Sequence, residues 1–299
     1  MNRTVAKPRK WNSDTVFTSA IYVLMFLIII VMLYPLLIVL SNSVSDPQAI
    51  LNGEVRLLPV GFSLESYGKV LENEDIVNGF FNSVKYTVVG SAVNVALTVL
   101  AAYPLSRRDL KGRNVLMKLI TFTMFFSGGM VPSFLIVREL NLMNTMWALI
   151  LPGAISTYNL IITRTFFENN IPGELQEAAV LDGCSNFRFL LSIVLPLSMT
   201  ILVIITMFYA VGHWNTYLNA IMYFSKKELY PLQVVLRDIL QSSQAADMAG
   251  TDTVMSTRFF EIERIKYATM VISSLPLVIV YPFIMKYFEK GVMVGALKG

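Results

Sequence analysis

The chain has 299 residues, of which 55% are hydrophobic and 15% are charged, with a mean hydropathy of +0.60 and a formal net charge of only +4. Soluble domains carry roughly a quarter charged residues, so this composition predicts a polytopic membrane protein, and we expect no nucleic-acid partner. One cysteine and one histidine exclude an internal disulfide and a His/Cys zinc site, and no G-x-x-x-x-G-K-[ST] loop is present to cradle ATP phosphates.

The first predicted elements are a basic tail, residues 1–15, and an apolar run at 16–40. A bilayer crossing needs about 20 apolar residues, which this run supplies. A cleaved signal peptide is the alternative, but its apolar region has only about 7–15 residues. We therefore predict a retained first span.

Five further apolar segments follow the first span. Their predicted bounds are 80–105, 114–137, 146–167, 193–224 and 267–288. The third is interrupted at Ser127-Gly128-Gly129, and the fifth is longer than one straight crossing requires. Polar segments at 41–79 and 225–266 are predicted loops, residues 168–192 a shorter loop, and residues 289–299 a tail.

Six spans place both termini on one side of the membrane. The short turn from Arg107 to Arg113 is rich in arginine and lysine and joins spans two and three. Because short basic turns face the cytosol, both termini and the 168–192 loop are expected to be cytosolic.

The 168–192 loop contains a helix signal of its own. Pro172 suits the first helical position, Glu174 and Glu177 suit the first turns, and Gly183 suits a left-handed helix end. The pattern predicts a short helix of about two to three turns between two spans.

The same loop carries a family motif. The loop has the spacing of the EAA loop of binding-protein-dependent ABC importers. Glu177-Ala178-Ala179 is followed after three residues by Gly183, after nine more by Ile193, and after one more by Leu195-Pro196. Over essentially its whole length the chain resembles the smaller, six-span permease subunit of maltose-type carbohydrate importers.

Other segments support this resemblance. The sequence AAYPLSR at 101–107 and the closing GALKG at 295–299 are typical of the family. Residues 125–132 and 211–215 are similar to a branch that handles complex plant- or host-derived oligosaccharides.

The resemblance implies an all-α polytopic protein of the type I ABC importer fold with a cytosolic coupling (EAA) helix, in a bacterial cytoplasmic membrane. It implies a second homologous permease, two copies of an ABC ATPase, an extracytoplasmic solute-binding protein, an oligosaccharide substrate and the lipid bilayer as partners. The chain itself is then no enzyme and holds no cofactor, because ATP and Mg²⁺ bind the ATPase subunits.

In this family the EAA helix docks into a cleft on the ATPase. Carried over, Glu177 pairs with a basic group of the ATPase, Ala178 and Ala179 pack in the cleft, and the last residues, 295–299, add a second contact. The segment at 230–233 resembles the one that reaches into the binding protein's sugar cleft. The residues expected to couple to the ATPase are Glu174, Glu177, Ala178, Ala179, Asp182, Gly183, Ile193 and Pro196.

Polar and aromatic residues within the spans are candidates for a sugar pathway. Sugars present apolar ring faces and hydroxyl edges, which suit aromatic rings with amide groups beside them, and polar side chains at membrane depth normally face a protein interior or a cavity. The candidates are Trp214, Asn215, Tyr217, Asn219, His213, Tyr158, Asn159 and Asn94. Packing between spans is the alternative role for each of them.

Other functions remain as alternatives. An ion-coupled secondary transporter normally needs an ionisable residue at mid-membrane depth, and the spans hold none there. An intramembrane enzyme lacks a supporting motif. Within the importer class, a polyol or phosphorylated polyol is the second cargo, although a phosphate would require arginine or lysine in the pathway. Acidic oligosaccharides remain an alternative cargo if the partner permease supplies cationic side chains.

Overall fold

All regular secondary structure in the described residues is helical, and the predicted all-α class is confirmed there. The computed structural model describes residues 13–126, 128–249 and 253–296; residues 1–12 of the predicted N-terminal tail, Ser127, residues 250–252 and the last three residues lie outside this range. The α-helices are α1 (Ser13–Ser43), α2 (Pro47–Leu51), α3 (Glu65–Glu72), α4 (Glu74–Ser106), α5 (Arg113–Phe125), α6 (Met130–Glu139), α7 (Trp147–Ile150), α8 (Thr157–Asn170), α9 (Gly173–Leu181), α10 (Asn186–Phe189), α11 (Leu195–Leu197), α12 (Met199–Trp214), α13 (Leu218–Tyr223), α14 (Leu232–Ala249) and α15 (Thr253–Ala296). A π-helical turn, Leu190–Val194, joins α10 to α11, and a 3-10 turn, Lys227–Leu229, precedes α14.

The chain divides into two units. The described residues up to Lys69, with those of 249–271, form the first unit, and the described residues of 70–248, with those from Ile272 onward, form the second. In the first unit α1 exposes its apolar side chains along most of its length, for example Phe26 at 63%. The segment after α1 is tied down by a hydrogen bond from the Tyr67 hydroxyl to Ser43 Oγ at 2.9 Å and by an ion pair between Glu65 and Arg264.

The central helix of the second unit is α4, which packs along both α8 and α12. It begins at Glu74 because the Asn73 side chain accepts a hydrogen bond from the Ile76 N–H at 3.1 Å. Gly79 allows α14 to approach closely, since a Cβ there would lie 3.2 Å from Cα of Leu232. Because Gly79 has no side chain, the start of α14 can pack directly against the backbone of α4.

Two apolar cores stabilise this unit. The α9 core consists of Val99, Ala102, Tyr103, Leu105, Leu160, Phe167, Ala179, Phe189, Leu190, Val194, Ile201 and Ile205. The α13 core consists of Tyr86, Val137, Ala148, Leu149, Ala220, Tyr223, Phe224 and Val234. A fully buried aromatic or aliphatic side chain contributes about 1.5–3 kcal/mol, so the α9 core holds the region around α9 firmly.

Helices that can cross a membrane are fewer than the six predicted spans. Among the described residues, Asp14–Ser43, Glu74–Ser106 and Ile262–Pro282 are long and apolar enough, and two bent helix pairs raise the number to five if each pair is one span. One bent pair is α5 with α6, separated at the predicted interruption, where Gly129 has φ 83°.

The predicted fourth span, 146–167, is not one helix. It is divided into α7 and α8 by residues 151–156, which contain Pro152 and Gly153. Proline lacks the N–H that would continue the helix, and the Ser156 hydroxyl then caps α8 by accepting from the Asn159 N–H at 3.5 Å. The continuous apolar composition of this segment concealed the break.

The predicted fifth span, 193–224, is bent. The helical segment Asn186–Leu197 meets α12 at 86°, and α13 follows as a separate short helix. Pro196 cannot donate a backbone hydrogen bond, and the chain widens into the π-helical turn, in which the Leu195 N–H donates to the Leu190 carbonyl oxygen. The apolar stretch is longer than one crossing because it contains this bend and the separate helix α13 as well as α12.

The two predicted polar loops also contain helices. Residues 41–79 form α2, α3 and the first turns of α4, and residues 225–266 form α14 and the first part of α15. Polar composition indicated neither these helices nor the burial of polar side chains such as Ser45 and Ser66.

Candidate functional site

The predicted short helix in the 168–192 loop is α9, and its start is close to the predicted one. The helix begins at Gly173, with Pro172 immediately before it rather than at its first position. Pro172 has extended backbone angles, φ −60° and ψ 140°, and its carbonyl oxygen accepts from the Leu175 N–H at 3.2 Å. Glu174 lies in the first turn, where its charge complements the helix dipole.

The end of α9 is a Schellman motif. Gly183 has φ 71°, so the predicted left-handed conformation is confirmed. The Cys184 N–H donates to the Ala179 carbonyl oxygen at 2.8 Å, and the Gly183 N–H donates to that of Val180 at 3.0 Å. Cys184 packs against the α9 core that contains Ala179, which is the apolar contact usual in this motif.

The two faces of α9 differ sharply in exposure. Ala179 is 8% exposed and belongs to the α9 core, so of the two alanines expected to meet the ATPase only Ala178 is exposed. The outer surface also carries Val180 at 60% and Leu181 at 87% exposure. The predicted acidic residues on this surface, Glu174, Glu177 and Asp182, are all exposed. The outer face is therefore acidic with an apolar patch.

Val180 and Leu181 were missed by the sequence reasoning. Their exposure could have been predicted from helical periodicity. Inward-facing residues of a helix recur every three to four positions, and Val180 and Leu181 are only one and two positions after the buried Ala179. After α9, Ile193 is half-buried against the α9 core, whereas Pro196 is exposed. Ile193 therefore joins the loop to the core, and Pro196 acts through the bend that it causes.

A second site is a polar cavity of about 450 Å³ in the second unit. Four predicted pathway residues line it together: Asn94, Tyr158, Asn159 and His213. Its wall also includes Leu149, Gly153, Ser156, Phe208, Tyr209, Gly212 and Thr216, which the sequence reasoning did not single out. Aromatic rings, amides and hydroxyls thus meet in one space, which is the chemistry that a sugar requires.

Hydrogen bonds hold the cavity wall in place. The Asn94 amide nitrogen donates to Nε2 of His213 at 3.0 Å. The Tyr209 hydroxyl accepts from the Ser156 N–H at 2.9 Å and lies 2.7 Å from Oγ1 of Thr98. Oδ1 of Asn94 is buried without a hydrogen-bond partner among the described residues, and such an acceptor is available to a water or a hydroxyl.

The other pathway candidates lie apart from this cavity wall. Trp214 is 3% exposed, its indole Nε1–H donates to the Ser273 carbonyl oxygen at 2.9 Å, and its ring meets that of Phe80 edge to face. The structure thus encloses Trp214 among helices of its own chain. Asn215 is exposed and its amide donates to the Val211 carbonyl oxygen at 2.9 Å.

Tyr217 and Asn219 are exposed, Tyr217 at 44%. The guanidinium of Arg237, on α14, lies 5.9 Å from the centre of the Tyr217 ring. Arg237 lies in the predicted 225–266 loop, outside the predicted spans, so no local pattern linked it to Tyr217. The structure places a cation beside a pathway candidate.

Comparisons with known proteins agree on one family. The family described as "Binding-protein-dependent transport system inner membrane component" matches residues 94–294. The "Polygalacturonan/rhamnogalacturonan transport system permease protein YtcP" of Bacillus subtilis (strain 168) is 41% identical over 287 residues, covering 96% of this chain and 99% of that protein. "Protein LplC" of the same organism is 40% identical over 265 residues, covering 89% of each chain.

A solved structure is similar over nearly the whole chain. It is described as a "bacterial ABC transporter involved in the import of the acidic polysaccharide alginate". The TM-score is 0.84 at 32% sequence identity, with 94% of this chain and 100% of that chain covered.

Proposed function

The chain belongs to the family of binding-protein-dependent transport system inner membrane components, and from this premise we propose that it is the permease subunit of an ABC importer for an oligosaccharide. The observation that carries the proposal is the outer face of α9, where Leu181 is 87% exposed beside Glu177 and Ala178. A small helix with an uncovered apolar patch and adjacent acids suits docking onto a basic, partly apolar cleft.

The docking partner is an ATPase subunit, present in two copies. Permease components of this family are not themselves enzymes, and we assign ATP and Mg²⁺ to the ATPase. Glu174, Glu177 and Asp182 provide the charge of the docking surface, and Ala178, Val180 and Leu181 provide its apolar contact. Gly183, Ile193 and Pro196 set how α9 joins the helices that follow. This role assigns α9 to the cytosol. We propose the same side for both termini, with α7 and α8 together forming the sixth crossing.

A second homologous permease completes the transmembrane pathway. Its support is α1, whose apolar side chains are exposed along most of the helix, including Tyr22 at 72% and Val31 at 71%. Lipid covers one side of such a helix and a second permease the other. An extracytoplasmic binding protein then delivers substrate on the side opposite α9, near residues 230–233. The protein resides in a bacterial cytoplasmic membrane.

The cargo that these observations support best is an oligosaccharide containing uronic acids. Two relatives bear names of acidic polysaccharides, polygalacturonan/rhamnogalacturonan and alginate. Within this chain, the cavity with Asn94 and Tyr158 offers neutral sugar contacts, and Arg237 against Tyr217 offers a cation for a carboxylate. We do not propose Trp214 as a pathway residue, because its indole N–H already donates a hydrogen bond to the Ser273 carbonyl oxygen within the chain.

The test is ATP hydrolysis and uptake by the reconstituted four-subunit complex with its binding protein. Matched oligogalacturonides and neutral oligosaccharides of equal length form the panel. Stimulation by oligogalacturonides supports the proposal, and stimulation by neutral sugars alone contradicts the acidic cargo. If no sugar stimulates ATP hydrolysis or uptake but a polyol or a phosphorylated polyol does, the protein is an importer of that second class of cargo.

A further inference from the structure

The turn between α4 and α5 contacts the coupling loop on both sides of α9. From the sequence alone, the basic charge of this turn predicted only which side of the membrane it faces. In the structure two of its basic residues, Arg107 and Arg113, each reach a residue that flanks α9. We propose that Arg107, Arg113, Glu168 and Asn186 form a brace that transmits displacement of α9 to α4. This inference rests on the proposed docking role of α9.

The first arm of the brace precedes α9. Glu168 lies in the last turns of α8, and its carboxylate accepts from Arg113 at 3.2 Å and from Arg164 at 2.7 Å. All three side chains are between 18% and 22% exposed, so solvent screens these ion pairs less than it screens fully exposed ones. The arm joins the end of α8 to the start of α5.

The same arginines also cap the end of α4. Arg164 Nε donates to the Leu105 carbonyl oxygen at 3.2 Å, and Arg113 Nη1 lies 3.4 Å from the carbonyl oxygens of Ser106 and Arg107. The last carbonyls of a helix have no partner within it and carry partial negative charge. Arg113 is itself at the start of α5, where a positive charge opposes the dipole, so its contacts with α4 and Glu168 offset that cost.

The second arm follows α9. Arg107 donates from Nη1 to Oδ1 of Asn186, the first residue of α10, and to the hydroxyl of Tyr103 at 3.3 Å. Asp109 accepts from the other side of the same guanidinium, at 2.9 Å and 2.6 Å. The hydrogen bonds between Arg107 and Asp109 lower the pKa of the Asp109 carboxyl and raise the pKa of the guanidinium, so both groups are charged at neutral pH.

The brace ends on the helix that carries the cavity. Asn94 and Ser106 are both on α4, and a helix is rigid with a rise of 1.5 Å per residue. Ala179 also belongs to the α9 core, which includes Ala102 and Leu105 of the same helix. A displacement of α9 is therefore passed through the two polar arms, and through the apolar core that α9 and α4 share, to a helix that lines the candidate sugar site.

Two variants remove one arm each without leaving a charge unpaired. Asn186→Ala breaks the second arm, while Arg107 stays paired with Asp109. Arg113→Gln breaks the first arm, while Glu168 stays paired with Arg164. Lys111→Gln is the matched control, since Lys111 is an exposed basic residue of the same turn. Asn186→Asp keeps the acceptor and is the conservative variant.

Transport per ATP hydrolysed is measured in proteoliposomes with the full complex. For Asn186→Ala and Arg113→Gln we expect this ratio to fall at least about fivefold, the lower end of coupling between linked sites, with complex assembly and basal ATP hydrolysis retained. Asn186→Asp restores the ratio, and Lys111→Gln leaves it unchanged. A purely structural role would lower transport and hydrolysis together, and an unchanged ratio in both arm variants overturns the brace.

A second readout does not depend on transport. Spin labels at Leu175 on α9 and Leu100 on α4, both exposed and both outside the proposed docking surface, report the distance between the helices in a Cys184→Ala background. The distance distribution is expected to broaden in Asn186→Ala and to keep its width in Lys111→Gln. If the wild-type complex does not transport, the proposed function fails. If it transports and both variants keep the wild-type ratio and distance distribution, only the brace fails.

Discussion

Gly90 of α4 faces the imidazole ring of His213 on α12, and a Cβ added at position 90 would lie 2.5 Å from Nε2 of that ring. The same Nε2 accepts the hydrogen bond from Asn94, one helical turn further along α4. The absence of a side chain at position 90 therefore allows the two helices to meet and sets the position of His213 at the cavity wall.

Gly90→Ala is expected to destabilise the protein by about 1–3 kcal/mol, because the imidazole must move and the Asn94 hydrogen bond is lost. Thermal unfolding of the purified protein in detergent measures the change. Gly68→Ala is the control, since a Cβ at position 68 of α3 meets open space. Equal melting temperatures for Gly90→Ala and the wild type would contradict the packing.

Trp214→Ala is expected to cost about 3–5 kcal/mol of stability through loss of a buried indole. Trp214→Phe keeps an aromatic ring near Phe80 but loses the hydrogen bond from the indole N–H to the Ser273 carbonyl oxygen, at a cost of about 0.5–1.5 kcal/mol. In complexes that do assemble, the apparent KM for oligosaccharide stays at the wild-type value. A raised KM in Trp214→Phe would return Trp214 to the pathway.

Tyr158→Ala is expected to reduce uptake while basal ATP hydrolysis continues, because Tyr158 is 51% exposed and lines the cavity. Loss of one aromatic contact with a sugar face is worth about 0.5–1.5 kcal/mol, or roughly a twofold to twelvefold rise in KM. Tyr158→Phe retains the ring and keeps most of the uptake. Loss of uptake with an unchanged KM would place Tyr158 outside the pathway.

Leu181→Asp is expected to weaken association with the ATPase by about 2 kcal/mol, close to thirtyfold, since an exposed apolar side chain becomes an additional acid. Co-purification with the ATPase from membranes measures it. Leu140→Asp is the control: Leu140 is 62% exposed at the end of α6, away from the α9 segment in sequence, and its substitution should leave association intact. Equal retention of the ATPase by both variants would refute the docking surface.

Arg237→Gln is expected to raise the KM for oligogalacturonide roughly tenfold and to leave uptake of a neutral oligosaccharide unchanged, because a charge-assisted hydrogen bond is worth about 1.5–3 kcal/mol. Uptake of the two sugars is compared in the same proteoliposomes. Arg237→Lys retains the charge and part of the preference. An equal loss with both sugars would assign Arg237 to packing against Tyr217.

Composition and local patterns alone determined the all-α membrane class of the protein, the short helix in the 168–192 loop and the left-handed Gly183. These features depend on hydrophobic length, on the missing N–H of proline and on glycine's access to positive φ, which are properties of short segments. The resemblance carried by the EAA spacing was confirmed by the family match over residues 94–294.

Only the tertiary structure decided which side chains are buried within the chain and which stay exposed. It enclosed Trp214, a predicted pathway residue, buried Ala179, which was expected to meet the ATPase, in the α9 core, and left Leu181, to which the sequence gave no role, exposed. It also joined Arg107 to Asn186 and Arg237 to Tyr217 across long separations in the chain. Such pairs depend on how helices cross and where they break, and that geometry is set by the packing of all the helices together rather than by any one segment.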